Sequence, residues 1–349
     1  MPDYSPMEEA LEFLAPFAPD LNNGLTNHAP MAAEALCALG RGDAVIPWLE
    51  AYRKFLLPRP AAHSRIARGA WREALGQTDR TTDWTTFFEA ELQAGAWREV
   101  AARWTTALAP GVCASATHGV IRVGHALRSL SVAESPARLR ELAEGLGYWA
   151  ACYQTLPTAT TSTRQPRRAR AAIGHVPVVP DAQRRFTGTI VSSLEALSEF
   201  PPFAPVIGML DTTETPSALI SDLTETFARV YLANARDTLG TIVFVHSVTS
   251  VTTLRSVLPL LGDAAARAMI RYAWQASCGL YAAFGRHPEP DEPIAAPGES
   301  AAELVELAIA VGDEHAIKFT EACLREYALN ASPAYLAAAR HAIGVLGAS

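Results

Sequence analysis

The chain has 349 residues, of which 49% are hydrophobic and 19% are charged, and its formal net charge is −7. This composition is typical of a globular protein with a large core, and the negative charge gives no reason to expect a nucleic-acid partner. The N-terminus lacks the basic and apolar regions of a signal peptide. We also expect no apolar stretch of the roughly 18 residues that span a membrane. The sequence therefore predicts a cytoplasmic protein without a membrane partner, and it leaves the oligomeric state open.

Five cysteines are spread widely along the chain, and no C-x-x-C motif occurs. An odd number at such spacing is atypical of a disulfide framework or a zinc knuckle. Reduced and mostly buried thiols are therefore expected. The cysteines are Cys37, Cys113, Cys152, Cys278 and Cys323.

Apolar residues in the first part of the chain recur at steps of three and four, the period of an α-helix. The turn-rich residues 22–27 precede a helix that has Asn27 or Thr26 as its candidate N-cap and Pro30 in its first turn. Further helices are predicted at residues 7–16, 44–57, 68–75, 84–108, 114–128 and 137–152.

Residues 156–217 differ from the rest of the chain, because eight prolines interrupt a Thr-rich stretch that contains a basic cluster. A long irregular insertion in a compact domain is usually a lid, an active-site wall or a disordered linker. The segment also carries apolar residues, among them Ile173 and Val176, which a pure linker would lack. We therefore predict that this insertion is a lid.

Residues 240–250 are rich in β-branched side chains and fit a strand as well as a buried helix. We predict a helix, because the apolar run continues to Leu261 without a turn signal and is too long for a strand. Helices are also predicted at residues 219–239, 264–284, 300–329 and 332–346. Because strands do not alternate with helices anywhere, the sequence predicts an all-α fold, in a single domain over residues 1–349.

Lys318 stands out because the chain has only two lysines, Lys318 and Lys54, among its 29 basic residues; 29 − 2 leaves 27 arginines. Its position one turn after His315 places both on the inward apolar stripe of a predicted helix. A buried amine can become neutral, whereas a guanidinium cannot. We hypothesise that Lys318 serves chemistry. The alternative is a lysine that extends to the surface beside Glu314 or Glu321.

Histidines are the other candidates for chemistry, since the chain has no Walker A, dinucleotide-binding, H-E-x-x-H or G-x-S-x-G motif. Several inward-facing histidines in a helical protein often mark a metal site. His118 and His125 lie roughly 10.5 Å apart along one helix, so at most one of them is a ligand. His125 would then line the pocket or support a ligand. Five histidines lie in or at apolar helices: His28, His118, His125, His246 and His315.

Four motifs in sequence order resemble the questin oxidase-like family: Asn27–Ala32, Thr117–Arg122, Val245–Thr249 and Asp313–Phe319. The family is known for helical enzymes that oxidise anthraquinone-type polyketides, by Baeyer–Villiger-like oxygen insertion or by cleavage of a ring carbon–carbon bond. The resemblance implies O2 and a small aromatic molecule as substrates, with NADPH as a candidate electron source.

The resemblance also implies a metal site. Its ligands to non-haem Fe(II) would be His28, His118, His246, His315 and a carbamate formed from CO2 on Lys318. Lys318 and His125 are the candidate catalytic residues, although fungal relatives carry a tyrosine in place of His125, a difference that concerns the substrate more than the metal. A neutral amine in an apolar site can add CO2, and a nearby cation stabilises the resulting anion.

Two alternatives to an iron-dependent oxygenase stay open. A carboxylated lysine also serves metal-dependent hydrolases, although the helical pattern does not fit their β/α barrels. The chain would otherwise be a non-catalytic helical binding protein with incidental histidines.

Overall fold

The computed structural model describes residues 1–159 and 165–348, and 67% of these residues are helical. This result confirms the predicted all-α fold. Two short strands, β1 (Phe17–Leu21) and β2 (Leu56–Pro58), pair antiparallel near the N-terminus. The helices are α1 (Met7–Leu14), α2 (Ala29–Ala38), α3 (Gly42–Tyr52), α4 (Thr81–Ala94), α5 (Trp97–Leu108), α6 (His118–Val132), α7 (Pro136–Ala151), α8 (Ala169–Ile173), α9 (Ile190–Glu195), α10 (Pro216–Asn234), α11 (Thr238–Thr252), α12 (Leu254–Val257), α13 (Asp263–Phe284), α14 (Ala301–Val311), α15 (Glu314–Leu329) and α16 (Pro333–Leu346).

Short polar side chains start several of these helices by accepting hydrogen bonds from free backbone N–H groups. The Asn27 side chain accepts from the N–H of Ala29 at the start of α2, although His28 occupies the N-cap position. Asp237 accepts from the N–H of Gly240 at the start of α11. These contacts explain why the chain enters α2 and α11 where it does; one candidate histidine, His28, immediately precedes α2, and another, His246, lies within α11.

The prediction of one continuous helix at 300–329 was wrong, because the segment forms two helices, α14 and α15. Gly312 ends α14 with a φ of +73°, a conformation that costs glycine little. Asp313 then caps α15 by accepting from the N–H groups of His315 and Ala316. His315 is therefore the second residue of a new helix. Lys318 still follows it by one turn.

Three other predicted helices are also shorter than expected. The helix predicted at 84–108 breaks at Gly95, where the backbone is extended between α4 and α5. In place of the helix predicted at 44–57, α3 ends at Tyr52, and the chain continues through a 3₁₀ turn into strand β2. Residues 68–75 form only a 3₁₀ turn, Trp71–Ala74. Apolar periodicity continued across these breaks, and the breaks themselves are set by local backbone geometry.

Residues 240–250 lie within α11, so the predicted helix is confirmed. The expectation that no stretch is long enough to span a membrane is wrong, because Thr238–Leu260 has the length and mean hydropathy of a span. Its serines, threonines and single arginine interrupt the apolar run without lowering the average hydropathy far. Within the protein, 83% of its most apolar window is buried. Packing in the core accounts for this composition.

Two apolar clusters meet along α2 and α15. Met31 and Phe319 belong to the larger cluster, whereas Ala33 and Ile317 belong to a smaller one built around the N-terminal helices. Four helices that carry candidate histidines contact one another: α2 with α6 and α15, and α11 with α6 and α15. Gly119 allows α6 to lie directly on α7, because a Cβ there would be 2.8 Å from Cα of Trp149. The fold thus brings distant parts of the chain together at the boundary of the two clusters.

The five cysteines are unpaired, as the spacing predicted. Four are buried and Cys152 is half-buried. Burial raises the pKa of every thiol, so the cysteines stay protonated near neutral pH.

The insertion at 156–217 contains α8, α9 and several 3₁₀ turns, and residues 160–164, which include the start of its basic cluster, lie outside the described residues. Ile173, Val176 and Phe203 are buried in the larger cluster. Helix α8 packs on α10, and α9 packs on α13. The segment is thus anchored to the helical core, and its role as a lid stays a prediction, as does the single-domain organisation.

Candidate metal centre

Four histidines from four different helices converge in the interior of the protein. His28 precedes α2, His118 is the first residue of α6, His315 is the second residue of α15, and His246 lies in the middle of α11. Each offers a ring nitrogen, and these four nitrogens all lie within 4.8 Å of one another. The exposed fraction of each residue is 7% or less. The chain therefore places four buried imidazoles where they can hold one metal ion.

The Nε2 atoms of three rings form the centre of this cluster. His118 Nε2 lies 2.7 Å from His28 Nε2 and 3.0 Å from His246 Nε2. Two nitrogens that bind one ion at right angles, with bonds of about 2.1 Å, lie about 3 Å apart. The ring of His315 completes the group, with its centroid 4.6 Å from that of His28. The spacing of these donors fits a shared ion.

The opposite nitrogens of two rings fix their tautomers. His118 Nδ1 faces the carbonyl oxygen of Ser115, and His246 Nδ1 lies 2.6 Å from the carbonyl oxygen of Ile242. Each Nδ1 must carry its proton to donate these hydrogen bonds, so each Nε2 presents a lone pair. Two lone pairs 3.0 Å apart repel each other unless a cation lies between them. This pair of contacts, more than the number of histidines, supports a cluster that could hold a metal ion.

Protonation of these histidines does not readily relieve the repulsion, because the pKa values of three of the rings are low. Burial, reinforced by the nearby Lys318, lowers the pKa of His118 to about 3. The same two causes hold the pKa of His28 well below its usual value. Burial, together with His118 and His315, does the same for His246. Neutral imidazoles are the form that binds metal ions.

Two carboxylates at the start of α15 face the remaining ring nitrogens. Nδ1 of His28 lies 3.3 Å from a Glu314 oxygen, and Nδ1 of His315 lies 3.5 Å from an Asp313 oxygen. A carboxylate beside the second nitrogen of a ligating histidine orients the ring and increases its basicity. From the sequence, Glu314 was expected only as a surface partner of Lys318, and its approach to His28 was not predicted. Its signal was the N-cap sequence Asp313–Glu314 directly before His315.

Lys318 lies in the interior and does not extend to the surface, since only 3% of it is exposed. Among the described residues, no side chain pairs with its amine; Glu321, the proposed surface partner, pairs instead with Arg128 and Arg325. Burial lowers the pKa of Lys318 to about 7, against the opposing influence of Glu314 and Asp313. A substantial fraction of the amine is therefore neutral near neutral pH.

His125 takes part in a different group of side chains. Its Nδ1 lies 2.6 Å from a Glu34 oxygen, and Glu34 also accepts hydrogen bonds from Tyr4 and Arg128. Arg128 in turn reaches Glu321 on α15 at 2.5 Å. The group joins α2, α6 and α15, the three helices at whose N-terminal ends His28, His118 and His315 lie. The structure thus places His118 in the histidine cluster and His125 in a separate group of charged and polar side chains around Glu34.

The fold and the donor set together define a helical protein with a buried histidine cluster able to hold a metal ion. The chain belongs to the questin oxidase-like family, whose family model matches residues 25–323. That match confirms the resemblance seen in the motifs and includes all four histidines and Lys318. A comparison with the curated proteins finds no match. Membership indicates an oxidoreductase, an oxidase or oxygenase of polyketides, with a small polyketide as its substrate.

Proposed function

We propose that the protein is a non-haem iron-dependent oxygenase that acts on a polycyclic aromatic polyketide of the anthraquinone type. Fe(II) would be held by His28, His118, His246 and His315, with Lys318 as a carboxylated fifth ligand. O2 is the co-substrate, and NADPH is a candidate electron source. The reaction is oxygen insertion of the Baeyer–Villiger kind or cleavage of a ring carbon–carbon bond, and its place is the cytoplasm.

The observation that carries this proposal is the pair of Nε2 lone pairs on His118 and His246, 3.0 Å apart in a buried site. An imidazole ligand supplies no negative charge to the metal that it binds, and imidazole suits iron, copper, zinc and nickel alike. Family membership favours redox chemistry over hydrolysis. Iron supplies the one-electron chemistry that reaction with O2 requires.

Lys318 has the properties that carboxylation needs. Its amine is buried and has a pKa of about 7. The nitrogen lone pair attacks the carbon of CO2 and forms a nitrogen–carbon bond, while one carbon–oxygen π bond breaks and its electron pair moves to oxygen. One N–H bond then breaks, and its proton passes to water, which leaves a carbamate anion. That anion brings negative charge and an oxygen donor to a neutral histidine set, which suits a hard cation. Lys318→Arg should lose activity, because a guanidinium stays protonated and cannot form the carbamate.

The protein around the cluster orients the donors and excludes water. The Ser115 and Ile242 carbonyls hold two rings in one tautomer, and Glu314 approaches a third. The cluster histidines and Lys318 are nearly inaccessible to solvent. Burial of this kind protects a reactive oxidation from water, and it requires a movable wall for substrate entry. The insertion at 156–217 is the candidate for that wall.

Metal content and oxygen dependence test the proposal together. Purified protein loaded anaerobically with Fe(II) should bind one equivalent, and it should consume O2 when a reduced anthraquinone is added. His118→Ala should lose the metal, whereas His341→Ala, a control that removes a histidine bonded to Tyr231, should keep it. Oxidation that proceeds equally without iron or without O2 would overturn the proposal.

A further inference from the structure

A closed ring of three hydroxyl groups lies immediately before two of the four cluster histidines. The Tyr148 hydroxyl lies 2.7 Å from Oγ1 of Thr26 and 2.8 Å from Oγ of Ser115. Thr26 and Ser115 lie 3.2 Å from each other, so each hydroxyl can donate one hydrogen bond and accept one. Burial, reinforced by Cys152 and by the Asp20 carboxylate that also faces this hydroxyl, raises the pKa of Tyr148 well above its usual value, so the hydroxyl stays protonated.

Each member of this ring is connected, through the backbone or through a hydrogen bond, to a segment that carries a histidine of the cluster. Ser115 is the residue whose carbonyl oxygen accepts the hydrogen bond from Nδ1 of His118. Thr26 lies two residues before His28. Tyr148 comes from α7, a helix that supplies none of the four histidines, and it bridges the two segments that deliver His28 and His118.

The segment that Tyr148 holds has an unfavourable backbone. Ser115, Ala116 and Thr117 have φ angles of 47°, 52° and 76°, so three consecutive residues with side chains occupy the left-handed region. That region is costly for such residues, above all for a β-branched one. Thr117 is also fully buried, and its hydroxyl has no hydrogen-bond partner among the described residues. Strain of this kind persists only where the surrounding structure enforces it, and it occurs often at functional sites.

We propose that Tyr148 is a positioning residue of the metal centre, which acts through the hydroxyl ring and the left-handed turn at 115–117. The ring fixes the Ser115 carbonyl, and this carbonyl fixes the tautomer and direction of His118. The same ring holds the start of the segment that carries His28. This inference rests on the proposed function, because it assigns a role toward the ion that the four histidines would bind.

Tyr148→Phe tests the inference, with Tyr335→Phe as its matched control. Tyr335 is also buried and its hydroxyl lies 2.8 Å from Thr224, in a part of the core built by α10 and α16. Both variants lose one buried hydroxyl, so their metal-free forms should lose similar stability. Only Tyr148→Phe should bind metal more weakly, by about 10- to 100-fold, the range for groups that support a ligating histidine. Affinity is measured by anaerobic titration with Fe(II) and, independently, with Co(II), whose absorption spectrum reports the ligand geometry.

A pair of variants at Thr26 covers the case in which Tyr148→Phe does not fold. Thr26→Val keeps the shape of the side chain and removes the hydroxyl, so it should weaken metal binding. Thr26→Ser keeps the hydroxyl and should bind metal as the wild-type protein does. Equal affinity in Thr26→Val and Thr26→Ser would overturn the role of the ring.

Thr117→Gly separates positioning from simple stability. Glycine adopts a positive φ without steric cost, and this gain offsets the loss of a buried side chain, so the stability of the metal-free protein should change little. The loosened turn should nevertheless weaken metal binding by at least about tenfold. Unchanged affinity, or a loss of stability that parallels the loss of affinity, would contradict the inference. If the wild-type protein binds neither Fe(II) nor Co(II), the proposed function fails. If the wild-type protein binds metal and Tyr148→Phe binds it with the same affinity, only the positioning role is refuted.

Discussion

Glu314, the first residue of α15, places a carboxylate oxygen 3.3 Å from Nδ1 of His28, the residue that precedes α2. The same carboxylate lies 3.9 Å from Nδ1 of His315. Two candidate ligands thus share one acidic neighbour, while His118 and His246 rely on backbone carbonyls. The negative charge of Glu314 favours a cation in the cluster and also opposes the loss of the Lys318 proton.

Glu314→Gln should therefore weaken Fe(II) binding by about tenfold, because an amide orients the two rings less strongly and carries no charge. Anaerobic Fe(II) titration gives the affinity, and urea unfolding of the metal-free protein gives the stability. Glu9→Gln is the matched control, since Glu9 is also in the first turn of a helix but is exposed. Equal affinities in the two variants would contradict this role for Glu314.

Lys318 should make the stability of the metal-free protein depend on pH. Its pKa falls from 10.5 to about 7 on folding, so between these values the unfolded chain binds more protons than the folded one. Stability should therefore rise with pH across this window. Lys318→Met should remove most of that rise, whereas Lys54→Met, at an exposed position, should keep it. Urea unfolding in metal-free, CO2-free buffer at several pH values measures the slope, and identical slopes in wild type and Lys318→Met would refute a depressed pKa.

His118 and His125 should respond differently to removal. His118 shares the cluster with His28 and His246, whereas His125 bonds to Glu34. His118→Ala should lose the iron, and His125→Ala should keep most of it while its activity changes. Elemental analysis after gel filtration gives the iron content of each variant. Iron lost from His125→Ala and retained in His118→Ala would show that the wrong histidine has been assigned as the ligand.

Arg128 should be important for stability, because it is the cation between two buried carboxylates, Glu34 and Glu321. Its removal leaves both acids buried without their shared partner, which costs about 3–5 kcal/mol. Arg128→Gln should therefore lower the free energy of unfolding by that amount in urea titrations. Arg185→Gln breaks an ion pair with Glu199 in which both side chains are more than half exposed, and it should cost less than about 1 kcal/mol. Similar losses of unfolding free energy in both variants would argue against a structural role for the buried group of Glu34, Arg128 and Glu321.

The insertion at 156–217 should become harder to cleave when an aromatic ligand binds, if it covers the entrance to the site. Arg185 is exposed within the insertion and offers a site for trypsin, while Arg65 is an exposed reference site outside it. The prediction is tested by limited proteolysis with and without a reduced anthraquinone. The ligand should slow cleavage after Arg185 and leave cleavage after Arg65 unchanged. Equal protection at both sites, or at neither, would contradict a lid.

Local patterns in the sequence were sufficient for the helical class and for several helix starts. The apolar period predicted helices at α11 and α13, and the length of the apolar run correctly favoured a helix over a strand at 240–250. The same period overestimated helix length at Gly312 and at Gly95, since hydrophobic spacing continues across a break that backbone geometry creates. A single glycine with a positive φ, followed by an aspartate cap, decides where α15 begins.

The sequence by itself determined which side chains could do chemistry: four motifs with a histidine each, and a lysine where the chain otherwise uses arginine. Only the tertiary structure decided how they meet, because separations of 90 and 128 residues between His118 and its two Nε2 neighbours carry no distance information. It also decided the tautomers, since Ser115 and Ile242 contribute backbone carbonyls whose direction no residue type encodes. The hydroxyl of Tyr148 reaches Thr26 and Ser115 only because α7 packs against α6. Residue identity sets what a group can donate or accept, and packing sets what it faces.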